Sequence, residues 1–215
     1  MLKEFEKRIL SSLILLPIAF FFIIQEFVFF IFFLSLFFLA TSYEWIKMTK
    51  KNYFIKTFGI LFLFFSFYAA FYIREQYGLE LFLFIIIVCI FTDIGGYVFG
   101  KTFKGPKFTK ISPNKTYAGV IGSFLFSIIA GLVFIKYVDN LGFDQIKNNY
   151  QLAVLLIILS ISFISQIGDL IISYFKRKAK LKDTGKILPG HGGLLDRIDG
   201  LIFVMPSIYL LHLIK

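Results

Sequence analysis

Q-L-A-V-L-L-I-I-L-S-I-S-F-I-S-Q-I-G-D-L-I-I-S, residues 151–173, decides the fold. A run of this length and apolarity suits a helix crossing a hydrocarbon core about 30 Å thick, which takes about 20 residues. Its one ionisable residue is Asp169, which would cost at least about 2.5 kcal/mol facing lipid and must therefore face protein, water or a metal. Working outward, apolar stretches near 9–24, 27–42, 54–73, 78–92, 117–137 and 200–214 bring the predicted spans to about seven. Only Gln25 and Glu26 part the first two, and one helix over 9–42 would run about 50 Å, so a tight hairpin is expected there. The 215 residues are 58% hydrophobic and 20% aromatic with 17% charged, which excludes soluble globular and disordered classes. The expected fold class is all-α, a polytopic membrane helical bundle with no separate soluble domain. Cys89 is the single cysteine, so no intrachain disulfide or multi-cysteine zinc site can form.

The formal charge is +10, but apolar blocks divide the 23 Lys and Arg into clusters, as in the loops of a membrane protein, which argues against nucleic acid as a partner. With a cytoplasmic N-terminus, 19 cations fall on the inner side and only Arg74, Lys136, Lys147 and Lys215 on the outer. That asymmetry predicts an odd number of spans and puts two polar loops, 93–116 and 174–199, in the cytoplasm. The chain then divides into N-terminal membrane helices, 1–92, and catalytic membrane helices with those loops, 93–215.

Ser162, Ser165, Gln166, Asp169, Ser173, Lys176 and Arg177 recur at helical spacing and form one polar stripe running into the second loop. That loop holds Lys176, Arg177, Lys178, Lys180, Lys182 and Lys186, a cationic run that suits either a polyphosphate or the anionic inner leaflet. Asp183, Asp196 and Asp199 stand among these cations, and hard carboxylates beside phosphate are how Mg²⁺ is held in phosphoryl-transfer sites. Asp169 and Asp196 lie near facing ends of antiparallel helices and form the preferred metal pair. Pro189-Gly190-His191-Gly192-Gly193 offers N–H groups that could converge on a phosphate, with His191 as a further donor or proton carrier. Asp93 poses the same question as Asp169, nearer the interface. Ser112, Lys115 and Thr116 suit anion binding, or simple capping, at the start of the fifth span. Gly95 to Thr102 matches G-x-x-x-x-G-K-T, yet it lacks the strand a phosphate-binding loop requires and places Tyr97 and Phe99 in the cradle, so the glycines at 95, 96 and 100 are read as permitting close helix packing or backbone approach to a ligand.

S-x-x-K-R-x-x-x-x-K-D-x-G-x-x-x-P-G-H-G-G-x-x-D-R-x-D, from Ser173 to Asp199, resembles the signature of phosphatidate cytidylyltransferases, and D-x-G-G-Y at Asp93 and S-P-x-K-T at Ser112 extend the likeness in order and spacing. The family commonly has T-W-E-G where this chain reads Thr116-Tyr117-Ala118-Gly119. The resemblance implies transfer of CMP from CTP to phosphatidate, giving CDP-diacylglycerol and pyrophosphate. It further implies Mg²⁺ dependence, with a second cation left open, and a homodimeric multipass protein of the inner membrane whose site faces the cytoplasm. Carried over by residue, Asp169 and Asp196 would ligate the metal, with Asp183 and Asp199 second in rank. Lys176, Arg177 and Lys182 would clamp phosphates, His191, Arg197 and Asp199 would join the catalytic group, and Asp93, Ser112, Lys115, Thr116, Gly192 and Gly193 would line the substrate cleft. The rival readings are a CTP-dependent lipid kinase, which needs a base for a hydroxyl, and an ion-coupled transporter using Asp169 and Asp93.

Overall fold

The computed structural model describes residues 17–25, 27–50, 52–109, 111–113, 115–138, 151–188, 190 and 192–213. Among them the elements are helices, with two isolated bridges as the only β pairing. After a short helical stretch at 17–24 come α1 (Phe27–Met48), α2 (Tyr53–Phe103), α3 (Tyr117–Tyr137), α4 (Gln151–Lys178), the single turn α5 (Leu195–Ile198) and α6 (Leu201–Leu213). The first four numbered helices are long and apolar enough to cross a membrane, and α6 is a shorter apolar helix.

α2 has 51 residues, about 77 Å if straight, and Gly78 breaks it at φ 87° and ψ 169°, a conformation essentially reserved for glycine. It therefore forms two arms, and with the 17–24 stretch the bundle follows the seven apolar stretches in order. Half of the first of those, 9–16, lies outside the described residues. The expected hairpin at Gln25 is present: Phe22 packs on Phe32 and Phe33, and Arg74 donates to Ile23 O and Gln25 O across the turn.

Side-chain pairings give the directions. α1 runs against the first arm of α2, with Phe27 on Phe71, Phe38 on Phe64 and Trp45 donating to Ile55 O. The second arm runs against α3, from Phe84 on Phe134 to Gly100 beside Thr116. α6 packs along the first arm, with Phe203 on Phe62 and Tyr209 on Tyr72. Consequently the ends of α1, of α2 and of α4, and the starts of α3 and α6, gather at one end of the bundle.

The 93–103 segment, expected as loop, is the last part of α2 and only 104–116 is irregular. Gly95, Gly96 and Gly100 pack on Gly119, Gly122 and Ser123, so the packing reading of the G-x-x-x-x-G-K-T match holds. A Cβ on Gly122 would run into Phe99 and would come within 2.7 Å of Gly95 O. Because both obstacles are backbone or Cβ-proximal atoms, the helices would have to separate. Gly122→Leu is expected to destabilise the bundle by about 1–3 kcal/mol, measured as a lower unfolding midpoint in mixed micelles; an unchanged midpoint would refute the close contact.

Candidate active site

A cavity of about 410 Å³ lies at the end where the helices gather. Of the residues expected from sequence, Asp93, Ser112, Lys115, Thr116, Asp169, Lys176, Asp183, Asp196, Arg197 and Asp199 line it. Asp93 comes from the second arm of α2, Lys115 and Thr116 from the entry to α3, and Asp169 and Lys176 from α4. Ser112 comes from the segment before α3, and the loop after α4 brings Asp183, Asp196, Arg197 and Asp199. Gly96, Tyr97, Gly119, Val120, Ser123 and Gln166 complete the lining, none of them expected as a site residue. Tyr97, Gly119 and Val120 left no polar signal in the sequence, while Gln166 had one, since it lies on the polar stripe of α4.

The stripe on α4 turns inward as expected. Ser162 is bonded to Thr92 at 3.0 Å, and Ser173 donates to Asp169 Oδ1 at 3.2 Å. Asp169 does not pair with Lys176 or Arg177, the neighbours on its own helix. Its partner is Lys115, whose Nζ lies 2.6 Å from Oδ2. This pair draws the entry of α3 onto α4, and Lys115 also donates to Gln166 O at 3.4 Å. Thr116 serves as the N-cap of α3, accepting from Gly119 N at 3.1 Å.

Asp196 is held differently from what the metal-pair expectation supposed. Its Oδ1 takes Lys176 Nζ at 2.8 Å, and its Oδ2 accepts from Thr184 N and Gly193 N at 2.8 and 3.1 Å, with Thr184 Oγ1 also 3.1 Å away. Both oxygens are thus engaged by protein donors. Asp169 lies close to Asp199 instead, near enough for each carboxyl to act on the other's ionisation. The glycine turn also spends its amides internally, Gly193 N on Asp196 and Gly192 N on Leu188 O at 3.1 Å. Here these two amides shape the loop, and neither is free to face a phosphate. Arg177 is exposed and donates to Leu181 O, and Lys182 is exposed away from the lining. His191 lies outside the described residues.

One residue absent from the sequence reading enters the loop's foundation. Glu44, in the last turn of α1, is 1% exposed and accepts from Leu194 N, Leu195 N and Thr184 Oγ1 at 3.0, 2.9 and 2.9 Å. Its only sequence signal was a lone acid between Tyr43 and Trp45 at the end of an apolar stretch.

Five carboxylates line the cavity against three cations, Lys115, Lys176 and Arg197. Burial and the charges of Asp169 and Asp93 push the Asp199 carboxyl well above the usual carboxylate range. No three His, Cys, Asp or Glu among the described residues converge at ligating distance. The donor chemistry nevertheless fits a hard divalent cation, because carboxylate oxygens outnumber the ammonium and guanidinium groups that could neutralise them.

The chain matches the model of the Cytidylyltransferase family over residues 51–214. It belongs to that family. Three similar relatives are each named phosphatidate cytidylyltransferase. That of Staphylococcus haemolyticus is 42% identical over 146 residues, covering 67% of this chain and 53% of the relative. That of Staphylococcus saprophyticus is 42% identical over 142 residues, covering 65% and 52%. That of Staphylococcus aureus is 40% identical over 146 residues, covering 67% and 53%. The chain therefore spans about half the length of the curated relatives it matches. Within the family match fall all the residues lining the cavity, and Glu44 lies outside it.

The raised Asp199 carboxyl has a consequence for stability. Its folded form favours the proton, so its stabilising contribution is full below the ordinary carboxylate range and is lost as pH rises through its folded value. At neutral pH in chelator, Asp199→Asn is expected to raise the melting midpoint by about 2–4 °C per ~1 kcal/mol recovered. The gap between variant and wild type should close as the pH falls toward 4. A lower midpoint for the variant at neutral pH would refute the account.

Proposed function

We propose that this protein is a phosphatidate cytidylyltransferase, moving CMP from CTP to phosphatidate and releasing pyrophosphate. The observation that carries the reading is the cavity itself. The Ser173–Asp199 segment, which bears the signature, folds so that Lys176, Asp183, Asp196, Arg197 and Asp199 face Asp93, Lys115 and Asp169 across one space. Membership of the Cytidylyltransferase family and the names of the relatives support it.

The chemistry asks little of a general base. A phosphate monoester has a second pKa of about 6 and is largely ionised at neutral pH, so it can attack the α-phosphate of CTP directly. The protein must hold two anions in line and balance the charge that builds on the leaving pyrophosphate. Lys115, Lys176 and Arg197 line the cavity, and they would do that work. Asp169 and Asp199 would hold Mg²⁺ together with water, with Asp93 and Asp183 further carboxylates of the same cavity and a second cation left open. Bound there, Mg²⁺ would supply charge neutralisation and orientation of the phosphates. Asp196 keeps Lys176 aimed into the cavity through its 2.8 Å contact.

The finer assignments belong to the same proposal. The site end carries the lysine clusters from Lys101 to Lys115 and from Lys176 to Lys186, and by the positive-inside rule it faces the cytoplasm, where CTP is available. Its lipid substrate is drawn from the surrounding inner membrane, in which the chain is a multipass homodimer; the resemblance to the family is the support for the dimer and for the choice of membrane.

The test uses purified protein in detergent with phosphatidate, Mg²⁺ and CTP labelled separately at the α- and γ-phosphates. Alpha-label is expected in the lipid. Gamma-label there would make the protein a lipid kinase, and label in neither, with folded protein, would return attention to ion transport. Asp169→Asn is expected to lower kcat at least about 100-fold while the protein still inserts and folds; wild-type turnover would remove Asp169 from the metal site.

A further inference from the structure

Glu44 lies outside the cavity, and all three of its recorded hydrogen bonds run to one segment. Leu194 N, Leu195 N and Thr184 Oγ1 belong to the loop between α4 and α6. The Thr184 hydroxyl lies between two carboxylates, 2.9 Å from Glu44 Oε2 and 3.1 Å from Asp196 Oδ2. Asp196 in turn holds Lys176 at 2.8 Å. A continuous chain of contacts therefore joins α1 to a cation of the cavity.

The glycines of the loop are fitted to this carboxylate. A Cβ on Gly193 would come within 2.6 Å of Glu44 Oε2, and one on Gly185 within 2.7 Å of Glu44 Cδ. Any larger residue at either place would push Glu44 from its seat. The carboxylate is also aimed from a fixed base. Next to it, Trp45 donates to Ile55 O and Lys56 O at 3.3 and 3.2 Å, stacks edge-on against Phe175 at 4.9 Å, and is 6% exposed. α1 is thereby locked to both α2 and α4 at the residue following Glu44.

We propose that Glu44 is a positioning residue for nucleotide binding: it clamps the 184–195 loop to α1 and, through Thr184 and Asp196, fixes Lys176 in the phosphate-binding part of the cavity. The inference rests on the proposed cytidylyl transfer. Replacing the carboxylate frees the loop, so the nucleotide must pay for ordering it, while the part of the cleft formed by α2 and α3 is unaltered.

The experiment compares the full-length wild type with Glu44→Gln, Thr184→Val and the double variant. It reads KM for CTP, KM for phosphatidate, kcat, and hydrogen–deuterium exchange over 184–195. Glu44→Gln retains one acceptor and leaves a buried amide unmatched, which is expected to raise KM for CTP about tenfold, with KM for phosphatidate within about twofold of wild type. Exchange at Leu194 and Leu195 should quicken, and exchange in α2 and α3 should not. Because Glu44 and Thr184 hold the same loop and touch each other, the double variant should lose less than the two single losses added together. Unchanged loop exchange, or equal changes in both KM values, would overturn the proposal, as would a loss confined to folded yield. Should Glu44→Gln fail to fold, Thr184→Val carries the same readouts. A wild type without cytidylyl transfer would overturn the proposed function, and the exchange measurement would still decide whether Glu44 holds the loop.

Discussion

An ionised group set in an apolar helix bundle must find opposite charge or hydrogen bonds, and the placement of Asp169 imposes that requirement on everything near it. The cation that answers it comes from outside the helix. Lys115 enters from the irregular segment before α3, which bends back on itself through the Lys107 and Thr116 bridge and the 2.8 Å bond from Phe108 N to Lys115 O. The path of that segment follows from the need to deliver one ammonium group to one carboxylate. Asp199 lies close to Asp169 as well, where the entry of α6 closes the end of the bundle.

Small residues set how far apart these charges lie. Gly95 and Gly122 let the second arm of α2 and α3 approach until backbone meets backbone, so Asp93, Lys115 and Thr116 share one cavity. On the other flank, a Cβ on Gly168 would come within 2.7 Å of Asp199 O and of Phe203, and one on Gly200 would press on Ser165. The absent side chains let α6 start directly beside Asp169. With little hydrophobic drive between helices in lipid, contacts of this kind and buried polar bonds carry the association.

Hydropathy is a local property, and for that reason the spans, the turn at Gln25 and the inward stripe of α4 were legible in residues 151–173 and their counterparts. The signature loop was legible as a set because its charges are neighbours in sequence. What was not legible depends on contacts between distant residues. The partner of Asp169 is 54 positions away, and nothing in the sequence prefers Lys115 over the nearer Lys176 or Arg177. Asp196 reads like a metal ligand, yet folding surrounds it with donors from Thr184, Gly193 and Lys176. Arg177 and Lys182 read like phosphate clamps because they stand in the signature, yet both point outward. Glu44 was passed over since a lone acid at a helix end has an ordinary meaning in water, and only the return of the loop buries it.

The charge pattern separates into two zones with opposite tasks. Around the site end, Lys101, Lys104, Lys107, Lys178, Lys180, Lys182 and Lys186 are exposed, and a ring of like sign raises the local concentration of anions and speeds their arrival. Inside, five carboxyl groups face three cations, and even with Asp199 holding its proton the carboxylates are in surplus, so an anion drawn by the ring would be repelled from the cavity if it came alone. In the proposed reaction, a triphosphate carrying a divalent cation would meet no such conflict: its phosphates would answer Lys115, Lys176 and Arg197, and its metal the surplus carboxylates. Under the proposed reaction, the acidic interior is then what makes entry of the nucleotide depend on the cation, without any residue devoted to sensing it.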